Sequence, residues 1–146
     1  MKLEYNEKEN EILDAAMKLF IQYGYDKTTV ADIAKDAGIS KGAIYLHFES
    51  KDDLFENLLF RESKQYYMKW FERIESDPKG GLISSMYKNM LYAMTGSELM
   101  TAIYKKDSKV LGNYLKKKNR FFKEGNNHSM RSEFIKMMQE AGAVRK

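Results

Sequence analysis

Apolar positions recur at helical spacing along nearly the whole chain. Asn6 can cap a first helix, with Glu9 three residues on as its reciprocal partner. Behind them Ile12, Leu13, Ala16, Leu19, Phe20 and Tyr23 fall on one face, and Gly24 supplies a stop. Thr29 and Asp32 form a second capping box. Val30, Ile33, Ala34 and Ala37 then give the apolar face of a short helix that ends at Gly38. Apolar Ile39 lies inside the turn, and Ser40 opens a further short helix predicted to reach about His47. Two short helices joined by a tight glycine turn describe a helix-turn-helix. Ser50 with Asp53 makes a third capping box, opening a helix whose apolar face is Leu54, Phe55, Leu58 and Leu59. That helix is expected to run past Trp70 to about Ile74.

The stretch SDPKGG (76–81) holds the only proline and the only double glycine, and reads as a linker-like turn. Beyond it, 82–94 is predicted helical with Ile83, Met86, Tyr87, Met90, Leu91 and Met94 on one broad face, broken by Gly96. Residues 98–123 read as one or two helices interrupted near Ser108. EGNNHS (124–129) is a loop, and 130–141 a last helix ended by Gly142. No strand pattern, long repeat or low-complexity tract is present in the sequence. The predicted fold class is all-α: a three-helix helix-turn-helix domain at 1–50, then a helical domain at 51–146.

Composition changes this picture little. Cysteine is absent, which excludes disulfides and thiolate chemistry and fits a reducing compartment. No apolar run reaches the ~18 residues of a membrane span, and MKLEYNEKENE is too acidic for a signal peptide, so a cytoplasmic location without membrane association is expected. Net charge is +4, but unevenly spread. Residues 1–50 hold 6 Lys against 9 Asp/Glu, net −3, while the other 96 residues carry +7. The segment 105–123 has eight Lys/Arg and one Asp. It reads either as a solvated face with Val110, Leu111, Tyr114 and Leu115 turned inward, or as an auxiliary contact for nucleic acid or an acidic partner.

One helix start differs from its neighbours. Glu9, Asp32 and Asp53 place an acid at the third helical position of three of the first four helices, whereas Ser40 is followed by Lys41, Gly42 and Ala43. An acid there would repel phosphate; its absence leaves an amino end attractive to anions. Gly42 lets a ligand approach the backbone, and Lys41, Tyr45 and Lys51 add cations and a hydroxyl nearby. These features suit a recognition helix that enters the DNA major groove by its amino end. The competing reading is that Gly42 and Ala43 serve close packing in a small trihelical unit that contacts another protein.

The segment ILDAAMKLFIQYGYDKTTVADIAKDAGISKGAIYLHFESKDDLFENLL (12–59) closely resembles the amino-terminal domain of TetR-type transcriptional regulators. The shared features are the alanine pair and phenylalanine of the first helix, the GYDKTTVADIA run, GISKGAIYLHF, and ESKDDL. The resemblance is gap-free over about a third of the chain. Beyond Phe60 it is architectural, apart from the ending QEAGAVRK (139–146), which is similar to a helix end preceding the family's last two helices. Carried over by position, it implies that Thr28 and Thr29 meet the phosphate backbone. Ser40, Lys41, Gly42 and Ala43 would lie at the groove, with Lys41 as base-reader, and Tyr45, His47 and Lys51 would touch phosphates or bases. Ile33, Ala37, Ile39, Ile44 and Phe48 would be core. For His47 a packed or solvated position is the alternative.

The resemblance also implies a helical ligand-binding and dimerisation domain after residue 60. The protein would then be a homodimeric repressor on a palindromic double-stranded DNA operator, released by a small-molecule effector. Candidate ligand-lining residues are Met86, Tyr87, Met90, Met94, Met100 and Tyr104, soft and aromatic side chains suited to an adaptable cavity. A Met/Tyr stripe at this spacing also fits plain core. Glu98 or Asp107 could pair with a cationic ligand, or simply stand exposed near helix ends. His47 and His128 are far apart and no cluster has metal spacing, so no metal, no cofactor and no catalytic residue is expected. The family's dimer is usually built by two helices that would follow Lys146. A chain without them would instead be a truncated interaction protein that pairs with a related regulator and does not bind DNA tightly itself.

Overall fold

The computed structural model describes residues 4–117. It divides the chain into two compact units, 1–114 and 115–146, so the second is represented only by its first residues. The predicted loop at 124–129, the helix at 130–141, His128 and the basic residues from 118 onward lie outside the described residues.

Among the described residues the elements are all helical. They are α1 (Glu7–Tyr23), α2 (Val30–Ala37), α3 (Lys41–Tyr45), α4 (Lys51–Ser76), α5 (Ile83–Met94), α6 (Glu98–Tyr104), α7 (Ser108–Leu111) and α8 (Tyr114–Lys117). The amino-terminal caps follow from local chemistry. The Asn6 side chain accepts from the Glu9 N–H at 2.8 Å while the Glu9 carboxylate accepts from the Asn6 N–H at 3.4 Å. Thr29 and Asp32 form the same reciprocal pair. The third box is only half formed. Ser50 accepts from the Asp53 N–H, but the Asp53 carboxylate reaches past Ser50 to the Glu49 N–H at 2.9 Å.

The core of the amino-terminal bundle is Ile12, Leu13, Phe20, Ile33, Ile44, Leu54, Phe55 and Leu58, all fully buried. Tyr23, expected on the inner face of α1, is instead exposed. Its place is taken by Tyr25 from the following turn, which is 1% exposed, stacks on Phe20 at 5.6 Å and meets Phe55 edge-on at 4.9 Å. The α3 helix ends at Tyr45, two residues earlier than predicted, and α4 continues two residues past Ile74.

The face of α5 is reversed from expectation. Ile83 is 85% exposed and Met86, Tyr87 and Leu91 also face outward, whereas Ser85, Asn89 and Ala93 are buried. The cause is Asp77 at the end of α4. Its carboxylate accepts from the Ser85 hydroxyl, from Asn89 Nδ2 at 2.9 Å and from the Lys79 N–H at 2.9 Å, with Lys88 Nζ at 3.2 Å. These bonds hold the Asp77 carboxyl well below its ordinary range, the Ser85 hydroxyl being the largest contribution. Two further donors on α4 fix the same rotation: Trp70 Nε1 donates to the Met86 carbonyl at 3.0 Å and the Tyr66 hydroxyl to that of Met90 at 3.4 Å. The turn between the helices needs glycine, since a Cβ at Gly80 would lie 2.2 Å from the Ile74 carbonyl oxygen.

The region near Ser108 is interrupted as expected, and more sharply. Lys106 takes a positive φ of 52°, and Asp107 caps the single turn of α7 by accepting from the Lys109 and Val110 N–H groups.

Candidate nucleic-acid interface

The turn before α3 is set by Gly38, whose left-handed backbone (φ 69°, ψ 30°) closes α2. The Ile39 N–H then returns to the Ala34 carbonyl at 3.0 Å. Ile44 and Phe48, four residues apart, are buried and anchor α3. The opposite side of the helix therefore faces solvent.

Ser40, Lys41, Gly42 and Tyr45 are exposed there, with Ala43 and His47 half-buried. The amino end is capped by its own serine, the Ser40 hydroxyl accepting from the Ala43 N–H at 3.1 Å. A Cβ on Gly42 would meet nothing nearer than the Ser40 hydroxyl at 3.9 Å. Close packing within the protein thus does not require glycine at 42.

Two predicted contact residues are placed differently from this group. Thr28 is 1% exposed, and its hydroxyl donates to the carbonyls of Gly24 at 2.8 Å and Leu19 at 3.2 Å. It ties the end of α1 to the start of α2, and no hydroxyl is turned outward. Lys51 is half-buried, its ammonium donating to the Tyr25 carbonyl at 2.8 Å and lying 4.1 Å from the centroid of the Tyr25 ring. Thr29 is exposed beside them, and its N–H and hydroxyl hold the Asp32 carboxyl below its ordinary range.

The turn that carries Tyr25 is itself docked. The Tyr25 N–H donates to the Val110 carbonyl at 3.0 Å, and the Asn113 N–H donates to the Asp26 carboxylate at 2.9 Å. A Cβ at Gly24 would stand 2.2 Å from the Lys109 carbonyl oxygen.

The predicted ligand-lining residues do not gather round one space. Met100 is buried with the Ser63 hydroxyl 3.8 Å from its sulfur, Met90 and Met94 are half-buried, and Met86, Tyr87 and Tyr104 are exposed. A hydrogen bond with Tyr104 pushes the Tyr87 phenol up. A cleft of about 480 Å³ lies elsewhere, between α1, α4 and the start of α6, where Met17, Ile21, Gln22, Glu62, Ser97 and Glu98 line it. Nearby, Arg61 bonds Asn10, Asp14 and Glu62, which secures α4 to α1. Among the described residues no group of three or more His, Cys, Asp or Glu could hold a metal, and no helix is long and apolar enough to cross a membrane.

Residues 12–58 match the model of the bacterial regulatory proteins of the tetR family. This amino-terminal stretch is a TetR-family domain. The chain is 43% identical over 86 residues to the uncharacterized HTH-type transcriptional regulator YuxN of Bacillus subtilis, spanning 58% of this chain and 28% of YuxN. It is 47% identical over 57 residues to the HTH-type transcriptional regulator AcrR of Shigella flexneri, covering 39% of this chain and 26% of AcrR. The chain thus spans about a quarter of the length of these curated relatives. The fold is similar to that of a putative tetR family transcription regulator from Shewanella sp. PV-4. There the TM-score is 0.62 at 20% identity, over 94% of this chain and 71% of that one. The TetR-type likeness read from the motifs at 12–59 and the all-α fold are therefore both borne out.

One residue on the exposed side of α3 escapes motif reading. Leu46 follows the helix in right-handed conformation and is 84% exposed. Its signal in the sequence is spacing: if Ile44 and Phe48 are core, the residue midway between them must point away.

Proposed function

We propose that this chain is a ligand-responsive transcriptional repressor that binds a palindromic DNA operator as a homodimer in the cytoplasm. The observation that carries the reading is the outward face of α3. Ser40, Lys41, Gly42 and Tyr45 are exposed on it, Lys41 brings a cation, and Gly42 leaves backbone open although packing does not require that. Lys41 reads bases. Tyr45 and Thr29 meet phosphates, as does His47, while Ser40, Gly42 and Ala43 line the groove. Thr28 contributes by fixing the first turn of α2, and Lys51 by holding the α1–α2 turn at Tyr25. The unit up to about residue 50 reads DNA and the helices beyond it regulate.

The regulatory logic is geometric. A dimer must place two α3 helices about 34–36 Å apart to engage successive major grooves. An effector that prefers a differently spaced dimer lowers operator affinity by its differential affinity for the two states. Of Met86, Tyr87, Met90, Met94, Met100 and Tyr104, the candidate effector contacts are buried Met100 and half-buried Met90 and Met94.

The test is selection of bound duplexes from a random DNA pool, followed by anisotropy titration and native mass measurement. A palindromic consensus bound by a dimer is the expected result. A monomer that binds no duplex would overturn the proposal in favour of a partner-blocking interaction protein.

A further inference from the structure

Leucine placement in the amino-terminal bundle is otherwise uniform. Leu13, Leu19, Leu54, Leu58 and Leu59 are each 8% exposed or less, while Leu46 is 84% exposed. At ~100° per residue it lies about 40° from Gly42 and about 160° from buried Ile44. It therefore shares the outward face of α3 with Gly42 and Tyr45. The backbone at Gly42 is open beside it, because a Cβ there would meet only the Ser40 hydroxyl at 3.9 Å. The result is an apolar strip on the face argued above to enter the major groove.

The floor of that groove offers one distinctive apolar group, the C5-methyl of thymine. We infer that Leu46 is a specificity-determining residue that packs on a thymine methyl in each half-site. The assignment rests on the DNA-binding reading proposed above. It requires no charge, so it adds sequence preference without adding salt dependence.

The experiment uses the 146-residue chain and the selected duplex, with each thymine replaced in turn by deoxyuridine, which lacks only the methyl. One position per half-site should weaken wild-type binding about fourfold, the worth of one buried methyl group. Leu46→Ala should abolish that discrimination and leave the melting temperature and salt slope unchanged, since the residue is 84% exposed. Two results would overturn the assignment alone: deoxyuridine having no effect on the wild type anywhere, or Leu46→Ala retaining full discrimination. A wild type that binds no duplex would overturn the DNA-binding reading itself, and this inference with it.

Discussion

Lys51 clamps Tyr25 from two sides: its ammonium donates to the Tyr25 carbonyl oxygen at 2.8 Å and lies 4.1 Å from the centroid of the Tyr25 ring. The Tyr25 N–H in turn donates to the Val110 carbonyl. Tyr25 thereby joins the start of α4, the α1–α2 turn and α7, and its ring fills the aromatic cluster with Phe20, Phe55 and Tyr114. A lysine that motif reading would send to a phosphate is spent inside the fold.

Lys51→Ala should therefore lower stability, by ~1–3 kcal/mol for a charge-assisted hydrogen bond and a cation–π contact, and weaken duplex binding at the same time. Thermal unfolding beside anisotropy checks this. An unchanged melting curve would mean the clamp contributes nothing.

Lys41→Ala and Tyr45→Ala should leave stability within ~0.5 kcal/mol, because both side chains are exposed. Lys41→Ala is expected to alter the recovered consensus, and Tyr45→Ala to weaken all duplexes alike. Selection with each variant reads both effects. If affinity and consensus were untouched in both, α3 would not be the reading element.

Two glycines should respond oppositely to alanine. Gly24 has φ +88° and its added Cβ would meet the Lys109 carbonyl oxygen at 2.2 Å, so Gly24→Ala should destabilise by more than ~1 kcal/mol. Gly42 is helical and open, so Gly42→Ala should stabilise by up to ~1 kcal/mol. The same methyl stands on the reading face, and duplex affinity should fall. Denaturant melts and titrations on both variants would reveal whether stability and binding part company at Gly42.

Asp77 makes stability acid-sensitive. Its folded carboxyl is depressed below the ordinary 3.8, so the folded state prefers the charged form. The contribution is complete above the unfolded value and is lost as pH falls below about 3.8 toward the folded one. Wild type should lose melting temperature steeply over this range, whereas Asp77→Asn starts lower near neutrality and falls less. Parallel slopes for the two proteins would show that the Ser85 and Asn89 bonds do not discriminate the charge.

The amino acids alone settled most of what is closed within about four residues of chain, the half-formed Ser50–Asp53 box excepted. Asn6 with Glu9, Thr29 with Asp32, and Ser40 with the Ala43 N–H are caps whose donor and acceptor are linked by a single turn. The spacing of Ile33, Ile44 and Phe48 likewise defined the inner side of the helix-turn-helix. Tertiary structure decided every choice between partners distant in sequence. Tyr25 displaced Tyr23 because α4 and α7 hold its backbone, and Thr28 turned inward to two carbonyls of α1 and its end. The rotation of α5 obeyed Trp70 and Tyr66 on α4 and Asp77 just past its end, not its own apolar stripe. Periodicity states that a helix has two unlike faces; which one turns inward depends on the groups its neighbour presents.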